Sequence, residues 1–243
     1  MGELRIGCSG WAYRDWKGAF YPAELKDRER LAYYAARFDT AELNASFYRL
    51  PTAAAVAAWA RAAPEGFLFA WKASREITQY KRLADVDESL ATVLDRMSGL
   101  AQAQGPTLFQ LPPSLQRDDE RLDAFAARLP QGRRCAIEFR NASWYAPPVY
   151  NVMKAHNLGF VIHDHHYAPS PSVVTADFVY WRGHGPTGRY AGHYSPETLA
   201  SLAAEMVGWR RDGLDAYGYF NNTMASVAPE DALALKALIA ARD

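Results

Sequence analysis

Carboxylates and cations recur at one kind of position in this sequence: the closing residues of short apolar runs. TAELN carries Glu42 and Asn44, FLFAWKA carries Lys72, TLFQL carries Gln110, CAIEFR carries Glu138 and Arg140, GFVIHD carries Asp164, and FVYWR carries Arg182. Carboxylates and a lysine move protons, and a guanidinium offers five donors in a planar fork that fits an oxyanion. A second cluster, IHDHHY at 162 to 167, gathers three of the six histidines around Asp164. Metal binding there would need three or four side chains aimed at one point, so the fold decides the matter.

The elements that position these residues alternate. Apolar runs bounded by Gly and Pro predict strands near 4 to 9, 40 to 45, 67 to 73, 107 to 111, 134 to 140, 159 to 164, 178 to 183 and 215 to 221. Helical patterns fall at 27 to 37, 52 to 62, 87 to 103, 118 to 128, 147 to 156, 196 to 211 and 229 to 241. Ser195 before Pro196, and Asp85 three residues before Glu88, read as helix starts. Such alternation over 243 residues predicts a single (β/α)8 barrel domain of eight parallel strands spanning 1 to 243. The unit after the sixth strand is irregular, because 165 to 177 carries Pro169 and Pro171 and no helical pattern. A doubly wound dinucleotide fold is disfavoured: GCSGWAYRDW follows the first strand, not G-x-G-x-x-G.

In a closed barrel one strand parity faces inward and the other faces the helices, where an unpaired charge would be costly. That rule turns Glu42, Asn44, Lys72, Gln110, Glu138, Arg140 and Arg182 inward, at the strands' C-terminal ends where barrels build their chemistry. Applied to GFVIHD it turns Ile162 and Asp164 inward and His163 outward, leaving His163, His165 and His166 to decorate the rim. No transition-metal site is expected through these histidines, and no cofactor is expected.

Composition narrows the partners. Twenty-seven basic residues balance twenty-seven acidic ones, so net charge recruits neither nucleic acid nor anionic lipid. No apolar segment is long enough to span a bilayer, and the N-terminus lacks a signal-peptide core, so a cytoplasmic location is the expectation. Cys8 and Cys135, far apart inside apolar runs, read as reduced core thiols.

The stretches GCSGWAYRDWKGAFYP, FDTAELNASFYRLP, FLFAWKASREIT, TLFQLPPS, AIEFRNASWY, YWRGHG and YGYFNN together resemble the YecE-like family, domain of unknown function number 72. The resemblance spans nearly the whole chain and implies a single (β/α)8 barrel, without an implied activity. The positions it emphasises include Gly7, Ser9, Gly10, Trp11, Glu42, Asn44, Phe47, Tyr48, Lys72, Gln110, Glu138, Arg140, Trp144, Asp164, Arg182, Gly185, Tyr190, Tyr219, Asn221 and Asn222. Cys8 stands where Thr is common, and histidines flank Asp164 where the family has Pro or small residues.

The expected site is therefore a barrel-mouth pocket for a small anionic molecule bearing phosphate or carboxylate. Glu42, Glu138, Lys72 and Asp164 are the candidate catalytic groups, in a hydrolase or lyase. Ser9, Trp11, Asn44, Tyr48, Gln110, Arg140, Trp144, Arg182, His184, Tyr190, Tyr219, Asn221 and Asn222 are the candidate binding groups. The bland alternative is that Glu42, Glu138 and Asp164 only balance Lys72, Arg140 and Arg182 in a neutral structural network, but six ionised groups taken out of water at one barrel mouth point to a binding site. The alternatives are a divalent-metal phosphoesterase using Glu42, Glu138, Asp164 and His184, or a non-catalytic nucleic-acid binder. GHGPTGRY, with Arg189, reads as either a phosphate-binding loop or a plain turn. Oligomeric state is left open.

Overall fold

A computed structural model describes residues 1–242. Eight parallel strands form the barrel: β1 (Leu4–Cys8), β2 (Thr40–Leu43), β3 (Leu68–Lys72), β4 (Gln104–Gln110), β5 (Cys135–Glu138), β6 (Gly159–His163), β7 (Phe178–Gly183) and β8 (Asp215–Phe220). Ladders run in the order β1-β8-β7-β6-β5-β4-β3-β2. The helices are α1 (Arg30–Ala35), α2 (Ala45–Tyr48), α3 (Ala53–Ala62), α4 (Asp87–Ser98), α5 (Asp119–Ala126), α6 (Pro147–Ala155), α7 (Pro196–Arg211) and α8 (Val227–Ala240). Among the described residues, no helix is long and apolar enough to cross a membrane.

The seam between β1 and β2 is closed by a side chain. Tyr34, fully buried on α1, accepts a hydrogen bond from the Cys8 amide at 2.7 Å and donates to the Thr40 carbonyl at 3.0 Å. Its hydroxyl thus satisfies one strand's donor and the other's acceptor where a ladder bond would otherwise stand. Gly7 permits this approach, because a Cβ there would lie 2.1 Å from the Thr40 carbonyl oxygen.

Two apolar layers follow from strand parity. Phe67, Phe69, Trp71, Phe109, Ile137, Phe139, Val179 and Trp181 join the larger cluster between sheet and helices. Ala70, Leu108, Ala136, Val161, Phe178, Tyr180, Tyr217 and Tyr219 fill the barrel itself. The expected inward set therefore holds in β3, β4, β5 and β7. In β6 it is reversed: Val161 belongs to the inner cluster and Ile162 to the outer. Phe160 explains the choice, since its ring packs on Phe139, Tyr145 and Tyr150 on the helix side and carries Ile162 with it. GFVIHD is apolar on both faces, as parallel strands often are, so its charge alone was a poor guide to register. The strand ends at His163, and Asp164 lies beyond it.

No helix separates β6 from β7, as Pro169 and Pro171 predict. The link is instead a strap, in which Ser170 exchanges bonds with the backbone of His163. Thr175 then accepts from Phe160 and donates to Leu158. Ser195 caps α7 through the Thr198 amide at 3.2 Å. Asp85 does not cap α4: Val86 holds that position, and Asp85 sits in the left-handed region at φ 49°, the last of a tight turn containing Arg82 and Leu83. Both cysteines are free and buried, and burial pushes the Cys135 thiol up to about 12.

Candidate functional site

The C-terminal mouth of the barrel is built around one guanidinium. Arg182, 1% exposed, closes the inward face of β7 and spans two carboxylates: Nη2 donates to Glu42 Oε1 at 2.7 Å, and Nη1 donates to Glu138 Oε2. Glu42 is also fully buried and accepts from Ser9 Oγ at 2.6 Å, Tyr180 OH at 2.7 Å and Asn44 Nδ2 at 3.4 Å. Every one of these contacts donates to the carboxylate, so both oxygens of Glu42 are occupied as acceptors. Burial alone would raise Glu138, but Arg140 and Arg182 outweigh it and hold its carboxyl well below the usual range. Glu138 in turn helps hold Arg182 well above its ordinary value, against the cost of burial.

Arg140, two residues past the end of Glu138's inward position, uses its guanidinium differently. Nε donates to Glu138 Oε1, while the terminal nitrogens meet neutral groups: Nη2 lies 3.0 Å from His184 Nε2, and Nη1 lies 3.5 Å from Tyr190 OH. Because arginine has no acceptor, His184 Nε2 must be unprotonated, and its proton sits on Nδ1, 3.2 Å from Asp164 Oδ1. Burial, reinforced by Arg182 and Arg140, keeps the His184 imidazole neutral despite Glu138. Asp164 also accepts from the His184 amide at 2.6 Å and from Tyr194 OH. Burial raises the Asp164 carboxyl even so. Tyr190 reaches the mouth from a strained backbone, at φ 68°, with its amide bonded to the His184 carbonyl at 2.6 Å. A bulky residue in that region is uncommon outside turns and functional sites.

Lys72 completes the mouth. Nζ donates to Gln110 Oε1 at 2.7 Å and lies 3.9 Å from the centre of the Phe47 ring. Burial, with Arg182 and Arg140 beside it, outweighs Glu138 and Glu42 and brings its ammonium down to about 7. The alternative of a three-against-three neutral network is not the arrangement the contacts form. Asp164 spends both oxygens on His184 and Tyr194, Glu42 and Glu138 pair with Arg140 and Arg182, and Lys72 meets Gln110 and the Phe47 ring instead of a carboxylate.

The histidine cluster is also corrected. His163 points toward the mouth, not away from it, with Nε2 bonded to the Phe139 carbonyl at 2.7 Å and its ring 5.9 Å from His184. His165 is buried against His184 and Tyr190, and only His166 and Tyr167 remain at the exposed rim. Burial leads in holding His163 at about 4 and His165 at about 3, both neutral near pH 7. Among the described residues, no three or more His, Cys, Asp or Glu side chains converge as metal ligands. A cavity of about 600 Å³ lies at the other end of the barrel, lined by Gln104, Arg134, Asn157, Asp177 and Tyr217 among others. Of its two arginines, Arg133 and Arg134, the latter is already paired with Asp215 and Tyr217 at 2.7 and 2.6 Å, and barrels carry their chemistry at the opposite face.

The family described as protein of unknown function DUF72 matches residues 5–243. The chain belongs to this family. A DUF72 structure from Thermotoga maritima superposes with a TM-score of 0.89 at 29% identity, covering 98% of this chain and 99% of that one. A DUF72 structure from Enterococcus faecalis gives 0.83 at 24% identity over 98% and 95% of the two chains. The UPF0759 protein YunF of Bacillus subtilis is 28% identical over 155 residues, 60% of this chain and 54% of YunF, so the match spans about half of that relative.

Within this DUF72 barrel, the proposed site residues fall into two groups. Ser9, Glu42, Asn44, Glu138, Arg140, Asp164, Arg182, His184 and Tyr190 form connected contacts at the mouth, and Lys72 and Gln110 form a separate pair beside them. Trp11 and Trp144 do not join them. Trp11 packs on Trp59 and Phe69, and Trp144 stacks on Phe139 with its indole bonded to the Leu115 carbonyl, both in the outer layer. Tyr219 lies deeper in the barrel, bonded to Thr40 at 2.8 Å. Asn222 is buried against Asp231 and the Gly192 carbonyl, and the Asn221 amide bonds the Gly183 carbonyl. Tyr48 is exposed, packed on Phe47. The GHGPTGRY loop folds as a turn against the β6 strap: the Gly188 amide bonds the Gly185 carbonyl at 2.7 Å. A Cβ on Gly185, at φ 88°, would strike the Ala191 carbonyl oxygen. Sequence reasoning passed over Tyr180, although it shares Arg182's parity two residues earlier. Tyr194 arrives from a loop and gave no periodic signal, whereas Phe47, one of the positions the resemblance emphasises, lies on the short helix α2.

Proposed function

We propose that this DUF72 barrel is an enzyme for a small anionic substrate, held at the C-terminal mouth by Arg140. The observation that carries the reading is the unfinished coordination of that arginine. One nitrogen meets a carboxylate, while its two terminal nitrogens face neutral His184 and, at 3.5 Å, Tyr190 on a strained loop. A phosphate or carboxylate oxygen would be a stronger acceptor than either. Arg182, by contrast, gives both terminal nitrogens to Glu42 and Glu138 and serves as the frame.

The same accounting reassigns the acid–base work. Glu42 and Glu138 are locked by guanidiniums, and Arg140 and Arg182 hold Glu138 well below the usual carboxylate range, so the two serve as electrostatic supports, not as a proton-donating pair. Asp164 orients His184 through Nδ1, and His184 orients Arg140 through Nε2. Lys72, at about 7, is the mouth group suited to exchange a proton near neutrality. Thermal melts with and without millimolar phosphate test the proposal. Wild type should be stabilised by phosphate and Arg140→Gln should lose that increment, whereas the exposed-loop variant Arg189→Gln should keep it. Equal increments in wild type and Arg140→Gln would remove the anion site from Arg140.

A further inference from the structure

Lys72 differs from the other buried cations at the mouth. Arg140 and Arg182 each touch a carboxylate, whereas among the described residues Lys72 forms no ion pair. Its partner is an amide whose orientation is fixed: Gln110 Nε2 donates to the Leu111 carbonyl at 2.8 Å, so Oε1 is the atom turned to Lys72. Gln79 secures the Gln110 carbonyl from below at 2.7 Å. The Phe47 ring covers another side of Nζ. The charged groups around it are Arg182, Arg140, Glu138 and Glu42, and the two carboxylates are already bound to the arginines. A neutral amine fits these surroundings well, since it can donate one N–H to Gln110 and keep its lone pair free. Burying an uncompensated ammonium there would be costly.

We propose that Lys72 is a covalent nucleophile that condenses with the carbonyl carbon of a small anionic aldehyde or ketone. This rests on the reading above, in which the substrate's anionic group occupies Arg140. Lys72 closes β3 and Arg140 follows the end of β5, with β4 between them. By register Lys72 is level with Leu108 and Ala136, four residues before Arg140; two strand spacings and four residues of rise separate the two backbones by roughly 16 Å, a gap that two long side chains and a substrate of a few carbons can fill. In the step, the Nζ lone pair forms a C–N bond as the carbonyl π pair moves to oxygen. The carbinolamine then loses that oxygen as water, which carries away both former amine hydrogens, and an imine remains. No oxidant or reductant is required. The imine draws electrons from the adjacent carbon, which suits C–C or C–H bond cleavage beside a carbonyl.

Glyoxylate with cyanoborohydride at pH 7 provides the test, because it is a small anionic aldehyde and hydride makes the adduct permanent. Peptide mapping compares Lys72 with Lys17, Lys26, Lys81, Lys154 and Lys236 in the same molecule. An amine titrating at about 7 is half neutral at that pH, against about one molecule in 2,500 for an unperturbed lysine. Lys72 should therefore be modified on the order of tenfold or more in preference to the others, and added phosphate should slow its modification. Adduct at Lys72 that ignores phosphate would fault the Arg140 anion site and leave the nucleophile standing. Adduct spread evenly over the six lysines, or an equal mass gain in Lys72→Met, would overturn the nucleophile. Phosphate-dependent melting would still report on the anion site separately.

Discussion

Replacing Lys72 with methionine should make the protein more stable at neutral pH, and the gain should vanish in alkali. The folded ammonium titrates at about 7, against 10.5 for an ordinary lysine. Its depressed value means that the folded state resists a proton which the unfolded state holds. Above the unfolded value both states are neutral and nothing is lost. As pH falls toward 7 the cost grows, and below 7 it is complete. At about 1.36 kcal/mol for each tenfold change, the cost is roughly 4 kcal/mol at pH 7 and below about 1 kcal/mol at pH 10. Methionine also removes the bond to Gln110 and the contact with Phe47, but that loss is largely independent of pH. The informative quantity is thus the change in the stability difference between the two proteins, about 3 kcal/mol between pH 7 and pH 10. Urea unfolding of wild type and Lys72→Met at both pH values measures it. A difference constant to within about 0.5 kcal/mol would show that Lys72 titrates as an ordinary lysine, and the argument from burial would fail.

Arg182→Met should cost roughly 3–5 kcal/mol in denaturant unfolding, because it strands Glu42 and Glu138 without their shared cation; a loss under about 1 kcal/mol would contradict the frame assigned to it. Acid should act through His163. Its folded value of about 4 lies below the ordinary 6.5, so the stability it permits is present above 6.5 and is lost as pH falls toward 4. His163→Gln, which can still donate to the Phe139 carbonyl, should flatten that acid limb by about 3 kcal/mol in melts between pH 7 and pH 4, and an unchanged limb would refute this.

Much of the fold was legible because both periodicities were strong. Seven helical patterns and eight strands stand near their expected positions, and α7 begins at the Ser195-Pro196 signal. The inward residues of β3, β4, β5 and β7 could be read because each strand sets aromatic or branched residues on one face and a polar residue on the other. β6 defeated the same rule because Phe160, Val161 and Ile162 are apolar on both faces, so only packing on Phe139 and Tyr145 fixes the register. The site was legible as a set of charges but not as a circuit. That Arg182 takes both glutamates while Arg140 turns to His184 depends on reach and rotamer. Tyr194 comes from a loop 30 residues beyond Asp164, and no local pattern announces that partnership. Trp11 and Trp144 stand among the positions the resemblance emphasises and were candidate binding groups, yet their rings are large enough to be drawn into the outer core.

The anion site can be observed directly by soaking crystals in selenate, a phosphate-sized oxyanion with an anomalous signal. The account predicts an anomalous peak within hydrogen-bond reach of the Arg140 terminal nitrogens, between His184 and Tyr190, with the Tyr190 hydroxyl displaced from its 3.5 Å contact. A mouth without selenate, with peaks confined to surface arginines or to the Arg134 cavity at the other end of the barrel, would contradict it.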